Sequence, residues 1–147
     1  MALAISLGRR NLGQTSPNPS VGCVIVKNDV IIGRGYTAPN GRPHAETQAL
    51  EQAGSAAKGA TAYITLEPCS HEGKTPPCAH GLVKAGIKRA VIAAIDPDIR
   101  VNGKGISILE AAGIEVKVGV LSDQASLDHS GFFSSQTECR PWVTLKL

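Results

Sequence analysis

The sequence predicts a three-layer α/β/α sandwich on a mixed five-stranded sheet. Three observations carry this prediction. Short, β-branched apolar segments occur at residues 21–26, 30–36, 60–66, 88–95 and 114–118. The first two are separated only by a turn at Asn28-Asp29, which makes them an antiparallel hairpin. From residue 60 onward strands alternate with short helical stretches, the pattern of parallel βαβ units. A chain of 147 residues with 42% hydrophobic content sustains one full core, and with only 3% aromatics that core must be aliphatic.

Taken in order, residues 2–12 carry apolar side chains at helical spacing and stop at Gly13. Ser16-Pro17-Asn18-Pro19-Ser20 is no helix interior, because each Pro lacks an N–H and forces the residue before it into extended geometry. Asn18 is held between the two prolines. On the residues alone it is equally a loop Asn closing its own turn and a side chain presented by a stiff segment. Cys23 lies in the first apolar strand and reads as an inert core thiol. Pro43 suits a first helical turn, so a helix is expected from about His44 to Gln52 or Ala53, ended by Gly54. Strand 60–66 delivers Glu67-Pro68-Cys69, and Pro76-Pro77 opens a helix from Cys78 to Lys84 or Ala85. Strand 88–95, helix 103–112, strand 114–118 and a helix from Ser122 to about His129 follow. Residues 141–147 alternate like a strand that begins something new, so the expected division is a domain over 1–130 and a linker with the first strand of a further, truncated domain over 131–147.

Net charge is +3, with Lys and Arg dispersed along the chain. Nucleic-acid binders concentrate their basic residues, so nucleic acid is not an expected partner. No apolar run reaches membrane-spanning length, and Arg9 and Arg10 follow the first apolar stretch, the wrong order for a signal peptide. A cytoplasmic protein with reduced thiols is therefore expected. There, four Cys point to metal or catalysis before disulfides.

The chemistry concentrates in Pro43-His44-Ala45-Glu46 and in Glu67 to Cys78. His44, Cys69 and Cys78 offer one imidazole and two thiols, a donor set that suits Zn²⁺ and leaves its fourth position open for water. Glu46, two residues from His44, can serve that water without being a ligand. On a regular helix, residues i and i+2 point roughly 200° apart, so both can serve one metal only if it sits over the helix end. H-x-E with a later P-C-x-x-C is the signature of zinc deaminases acting on nucleobases. Here the second half departs, because eight residues separate Cys69 from Cys78. The residues alone also allow a structural site with His71, Cys23 or Cys139 as fourth donor, although such a site does not require Glu46.

Thr15-Ser16-Pro17-Asn18-Pro19-x-Val21-Gly22, the Pro43–Glu46 segment, and the stretch from Glu67 to Cys78 with Ser70-His71-x-Gly73-Lys74-Thr75-Pro76-Pro77 together resemble the zinc-dependent pyrimidine deaminases of riboflavin biosynthesis. Asp96-Pro97-x-x-x-Val101-x-Gly103-Lys104-Gly105 and Gly131-Phe132-Phe133 extend the resemblance over essentially the whole chain. The resemblance implies a cytidine deaminase-like fold. It also implies hydrolysis of a cyclic amidine C–N bond, converting 2,5-diamino-6-ribosylamino-4(3H)-pyrimidinone 5′-phosphate to 5-amino-6-ribosylaminouracil 5′-phosphate. By position, His44, Cys69 and Cys78 match zinc ligands and Glu46 the proton shuttle. Asn18, His71, Lys74, Asp96 and Asp98 match positions around the substrate. A reductase domain following this one, and a homo-oligomer, are implied as well. Two places depart from the family pattern: Thr37, where many members carry His, and Asp98-Ile99, where many carry Asn-Pro.

Other readings are a zinc deaminase of a free base, a nucleoside or a tRNA adenosine, and a non-catalytic module stabilised by zinc. The long loop between Cys69 and Cys78, with His71 and Lys74 in it, speaks against the first, and Glu46 against the second.

Overall fold

A computed structural model describes residues 1–71, 76–98, 102–143 and 145. Five strands form one mixed sheet in the order β2-β1-β3-β4-β5. They are β1 (Gly22–Lys27), β2 (Val30–Tyr36), β3 (Thr61–Leu66), β4 (Arg89–Ala94) and β5 (Glu115–Val118). β1 runs antiparallel to both β2 and β3, whereas β3, β4 and β5 are mutually parallel. The hairpin therefore supplies the antiparallel edge, and the two crossovers through helices supply the parallel half.

The α-helices among the described residues are α1 (Ala2–Gly8), α2 (Ala45–Ala53), α3 (Cys78–Lys84), α4 (Lys104–Ala111), α5 (Ser122–Asp128) and α6 (Ser130–Thr137). α3 packs between α2 and α4, α2 lies on β1 and β2 and α4 on β5, while α1 lies on β1 and β3, and α5 on β4. Strand alternation feeds both layers. Cys23, Ile25, Ala62 and Ile64 enter the main core, whereas Val24 packs with Ala4 and Leu7. The largest fully buried side chains include Ile25, Ile64, Leu66, Leu82, Ile92 and Leu109, so the core is aliphatic as composition requires.

α2 sits unusually close to β2. A Cβ on Gly35 would meet the Ala45 carbonyl oxygen at 2.0 Å, and the facing helix residues Ala45, Ala49 and Ala53 are all buried. This small-residue seam fixes where the N-terminus of α2 falls on the sheet.

Two expectations need correction. His44 is not in the helix: it is the N-cap of α2, with extended backbone at φ −70° and ψ 159°. An N-cap side chain leaves the chain in a non-helical direction, so the constraint separating i from i+2 does not apply to His44 and Glu46. The C-terminal region also differs. Residues 130–137 are helical, with Phe132 and Phe133 packed on the main core. Of the strand expected over 141–147, the described residues Pro141, Trp142, Val143 and Leu145 carry no regular structure and do not join the sheet, and residues 144, 146 and 147 lie outside the described residues. An alternating segment becomes a strand only when an edge pairs with it.

Candidate active site

The ends of three elements converge at one edge of the main core. His44 caps α2, Glu46 stands in its first turn, Cys69 follows β3, and Cys78 is the first residue of α3. The donor atoms of His44, Cys69 and Cys78 all lie within 4.8 Å of one another. His44 turns Nδ1 toward the thiols, 3.3 Å from Cys78 Sγ and 3.8 Å from Cys69 Sγ. Among the described residues, His71, Cys23 and Cys139 do not join this group. Cys23 is buried in the sheet, and burial, then the charge of Glu46, push its thiol well above the usual range.

The electrostatics of the cluster are asymmetric. A hydrogen bond from the Cys78 thiol holds Cys69 down to about 4, with His44 and the Cys78 backbone N–H also contributing. That N–H donates to Cys69 Sγ over 3.3 Å. Cys78 is pushed well above its ordinary value, first by its bond to Cys69 and then by burial. The first amide of α3 thus supports the thiolate of Cys69. The bond with Cys69 also raises His44. Glu46 is 4% exposed, and burial, followed by the Cys69 thiolate, lifts its carboxyl to about 7.

A cavity of about 290 Å³ opens over the cluster. Asn18, His71, Asp96 and Asp98 all line it, and His71 is exposed. Lys74 lies outside the described residues. The Nδ2 of Asn18 donates to the Gly41 carbonyl over 2.8 Å and lies 3.2 Å from His44 Nε2, so Asn18 also steadies the imidazole. Asp98 N–H donates to Asp96 Oδ1 at 2.9 Å. Burial, with Asp98 and Glu67 nearby, raises Asp96 to about 6.

Several wall residues were given no site role by the sequence reading. Glu67 appeared there only as part of a motif. Its carboxylate accepts from the backbone N–H groups of Gly103 and Gly105, both at 2.9 Å, and more loosely from Asp96 and Ile106. It thereby ties the end of β3 to the start of α4. Thr37 is 2% exposed, and its Oγ1 accepts from Val21 N–H at 2.9 Å. Arg42, Phe132 and Gln136 line the cavity as well. Phe132 and Gln136 were missed because the domain boundary was drawn at residue 130. Arg42 carried a signal in its position next to Pro43-His44.

Comparison with known proteins points in one direction. Residues 1–94 match the cytidine and deoxycytidylate deaminase zinc-binding region. The chain is 50% identical over 133 residues to the diaminohydroxyphosphoribosylamino-pyrimidine deaminase of Buchnera aphidicola subsp. Schizaphis graminum, covering 90% of each. It is 51% identical over 146 residues to the riboflavin biosynthesis protein RibD of Aquifex aeolicus, covering 99% of this chain and 41% of that one. The solved deaminase/reductase of Thermotoga maritima superposes with a TM-score of 0.91 at 41% identity, over 97% of this chain and 41% of its own. The chain thus spans about two-fifths of the length of the RibD relatives that it matches.

Proposed function

The chain belongs to the cytidine and deoxycytidylate deaminase zinc-binding family, in its diaminohydroxyphosphoribosylamino-pyrimidine deaminase branch, and we propose that it works in riboflavin biosynthesis. Water replaces the 2-amino group of 2,5-diamino-6-ribosylamino-4(3H)-pyrimidinone 5′-phosphate, giving 5-amino-6-ribosylaminouracil 5′-phosphate and ammonia. The observation that carries this reading is a buried carboxyl, Glu46, on the wall that holds a three-donor His/Cys/Cys cluster.

One imidazole and two thiols within bonding reach of a common point fit Zn²⁺, so His44, Cys69 and Cys78 are its proposed ligands. Zinc held there supplies Lewis acidity and brings water toward ionisation at neutral pH. The proton work falls to Glu46. A buried carboxyl on the cavity wall can both take a proton from water and return it. Its recipients are the ring nitrogen and the departing amine. Burial keeps bulk water from intercepting that transfer. Asn18, His71, Asp96 and Asp98 are assigned to the substrate by their place on the cavity wall, and Lys74 by its position in the sequence.

The full-length relatives support a second, reductase domain in a longer chain, with residues 131–147 leading to it. Within that stretch, Phe132 and Phe133 of α6 pack against the main core. The Buchnera relative, matched over 90% of its own length, supports deamination by a chain of this size. No helix among the described residues is long and apolar enough to cross a membrane. A cytoplasmic homo-oligomer remains part of the proposal.

The test is ammonia release by zinc-loaded protein from the phosphorylated pyrimidinone, with the dephosphorylated compound and a panel of free bases and nucleosides alongside. Preference for the phosphorylated pyrimidinone supports the reading. Faster turnover of a base or nucleoside overturns it.

A further inference from the structure

The cavity poses an electrostatic problem for an anionic substrate. Glu46, Glu67, Asp96 and Asp98 all line it. Glu67 is spread over backbone N–H groups, and the Asp98 N–H donates to Asp96 Oδ1 beside it. A phosphate brought near ionised carboxylates is repelled unless a cation faces it. Thr37 adds no charge, and its hydroxyl oxygen is taken up by Val21 N–H. Among the described residues lining the cavity, Arg42 is the one permanently charged cation.

Arg42 is also held in place. It follows the short helical turn Pro39–Gly41 in extended conformation, at φ −146° and ψ 145°. Gly41, next to it, is fixed by the Asn18 amide, and His44 lies two residues on. The side chain is half-buried, and its charge is felt at His44. An Arg so placed offers a planar donor fork suited to phosphate oxygens, at a cavity wall where its charge is less screened than at the surface.

We propose that Arg42 is a specificity-determining residue that binds the substrate's 5′-phosphate and so selects the phosphorylated pyrimidine over its dephosphorylated form. This rests on the deaminase reading above and names the group that reads the anionic arm. His44 supplies the metal donor on the inner side of this segment, and Arg42 supplies the anion contact two residues away. Both ends of the substrate are thus positioned from one short, braced stretch.

The experiment measures kcat and KM for both compounds on the wild-type chain, R42A and R42K, with zinc content recorded for each. R42A is expected to raise KM for the phosphorylated substrate by about tenfold to a hundredfold, the scale of a lost charge-assisted contact. It should leave kcat/KM for the dephosphorylated compound within about twofold, and R42K should recover part of the loss. Inorganic phosphate should inhibit the wild type competitively and R42A much less. Equal losses on both compounds would mean that Arg42 only shapes the site, and unchanged preference that another cation reads the phosphate. Either result overturns the inference while leaving the deaminase reading intact. Absence of ammonia release from either compound by zinc-loaded wild type overturns that reading, and this inference with it.

Discussion

The Gly105 N–H donates to Glu67 Oε1 at 2.9 Å, joining the first turn of α4 to the end of β3. The approach is close enough that a Cβ at residue 105 would stand 2.0 Å from the Pro68 carbonyl oxygen. Cys69, a proposed ligand, is the next residue. The position of one metal donor thus depends on a helix N-terminus that supplies no ligand itself.

Gly105→Ala tests that dependence. The obstructing atom is backbone, so α4 or the Pro68–Cys69 segment must move. A destabilisation of about 1–3 kcal/mol is expected, the usual cost of overpacking. Weaker zinc retention in a chelator competition should accompany it. Unchanged urea midpoint and unchanged zinc retention would show that the two segments are not locked together.

Glu67→Gln removes the negative charge and one acceptor while keeping the shape. Two backbone N–H groups at 2.9 Å and two longer ones converge on the carboxylate. An amide must point its NH₂ at some of those donors. A loss of about 2–4 kcal/mol is expected from charge-assisted bonds broken in a buried place. Chemical denaturation of the two proteins measures it, and a difference below about 0.5 kcal/mol would remove Glu67 as the tie.

Much of this was legible in the sequence because it is local. The strands announced themselves by β-branched runs, and the ligand trio by residue type next to Pro and helix starts. His44 as an N-cap was misread because Pro43 suits a helix's first turn, and only backbone dihedrals separate a cap from a first helical residue. The role of Glu67 was invisible because its partners are backbone groups 36 and 38 residues away, and any residue type supplies those. Phe132 and Gln136 reach the cavity through the packing of α6, and a Gly-Phe-Phe-Ser-Ser run carries no helical periodicity strong enough to predict that packing.

Glu46→Gln should fold, retain zinc and lose turnover. The glutamine keeps the volume and hydrogen-bonding reach but cannot accept and return a proton. A fall in kcat of about 10²–10⁴ is expected, the range of a lost general acid/base. Metal analysis on the same sample separates this from loss of the ligand set. Wild-type-like turnover with zinc bound would take Glu46 out of the mechanism.

The ligand assignment predicts an ordering among the cysteines. Cys69→Ser and Cys78→Ser should each lower bound zinc well below one ion per chain, and His44→Ala likewise, since three protein donors are the least that hold a catalytic zinc. Cys23→Ser should keep its zinc, because Cys23 does not belong to the cluster of donor atoms. Full zinc retention by any of the first three variants would remove that residue from the ligand set.

Asp96 gives the fold a pH signature. Burial raises its carboxyl from 3.8 to about 6. Between those values the unfolded chain has lost the proton and the folded chain still holds it. The folded state binds more protons there, so this group's contribution to stability falls as pH rises through the window and is constant above it. Asp96→Asn has no proton to lose but keeps an oxygen for Asp98 N–H. The stability of the variant relative to wild type should therefore climb from about pH 4 to about pH 6 and level off beyond, the interval being set by the two values for Asp96. Other titrating groups occur in both proteins and cancel in the difference. Urea denaturation at closely spaced pH values measures it, and a difference that stays flat across the window would mean that Asp96 ionises in the folded protein as it does in the unfolded chain.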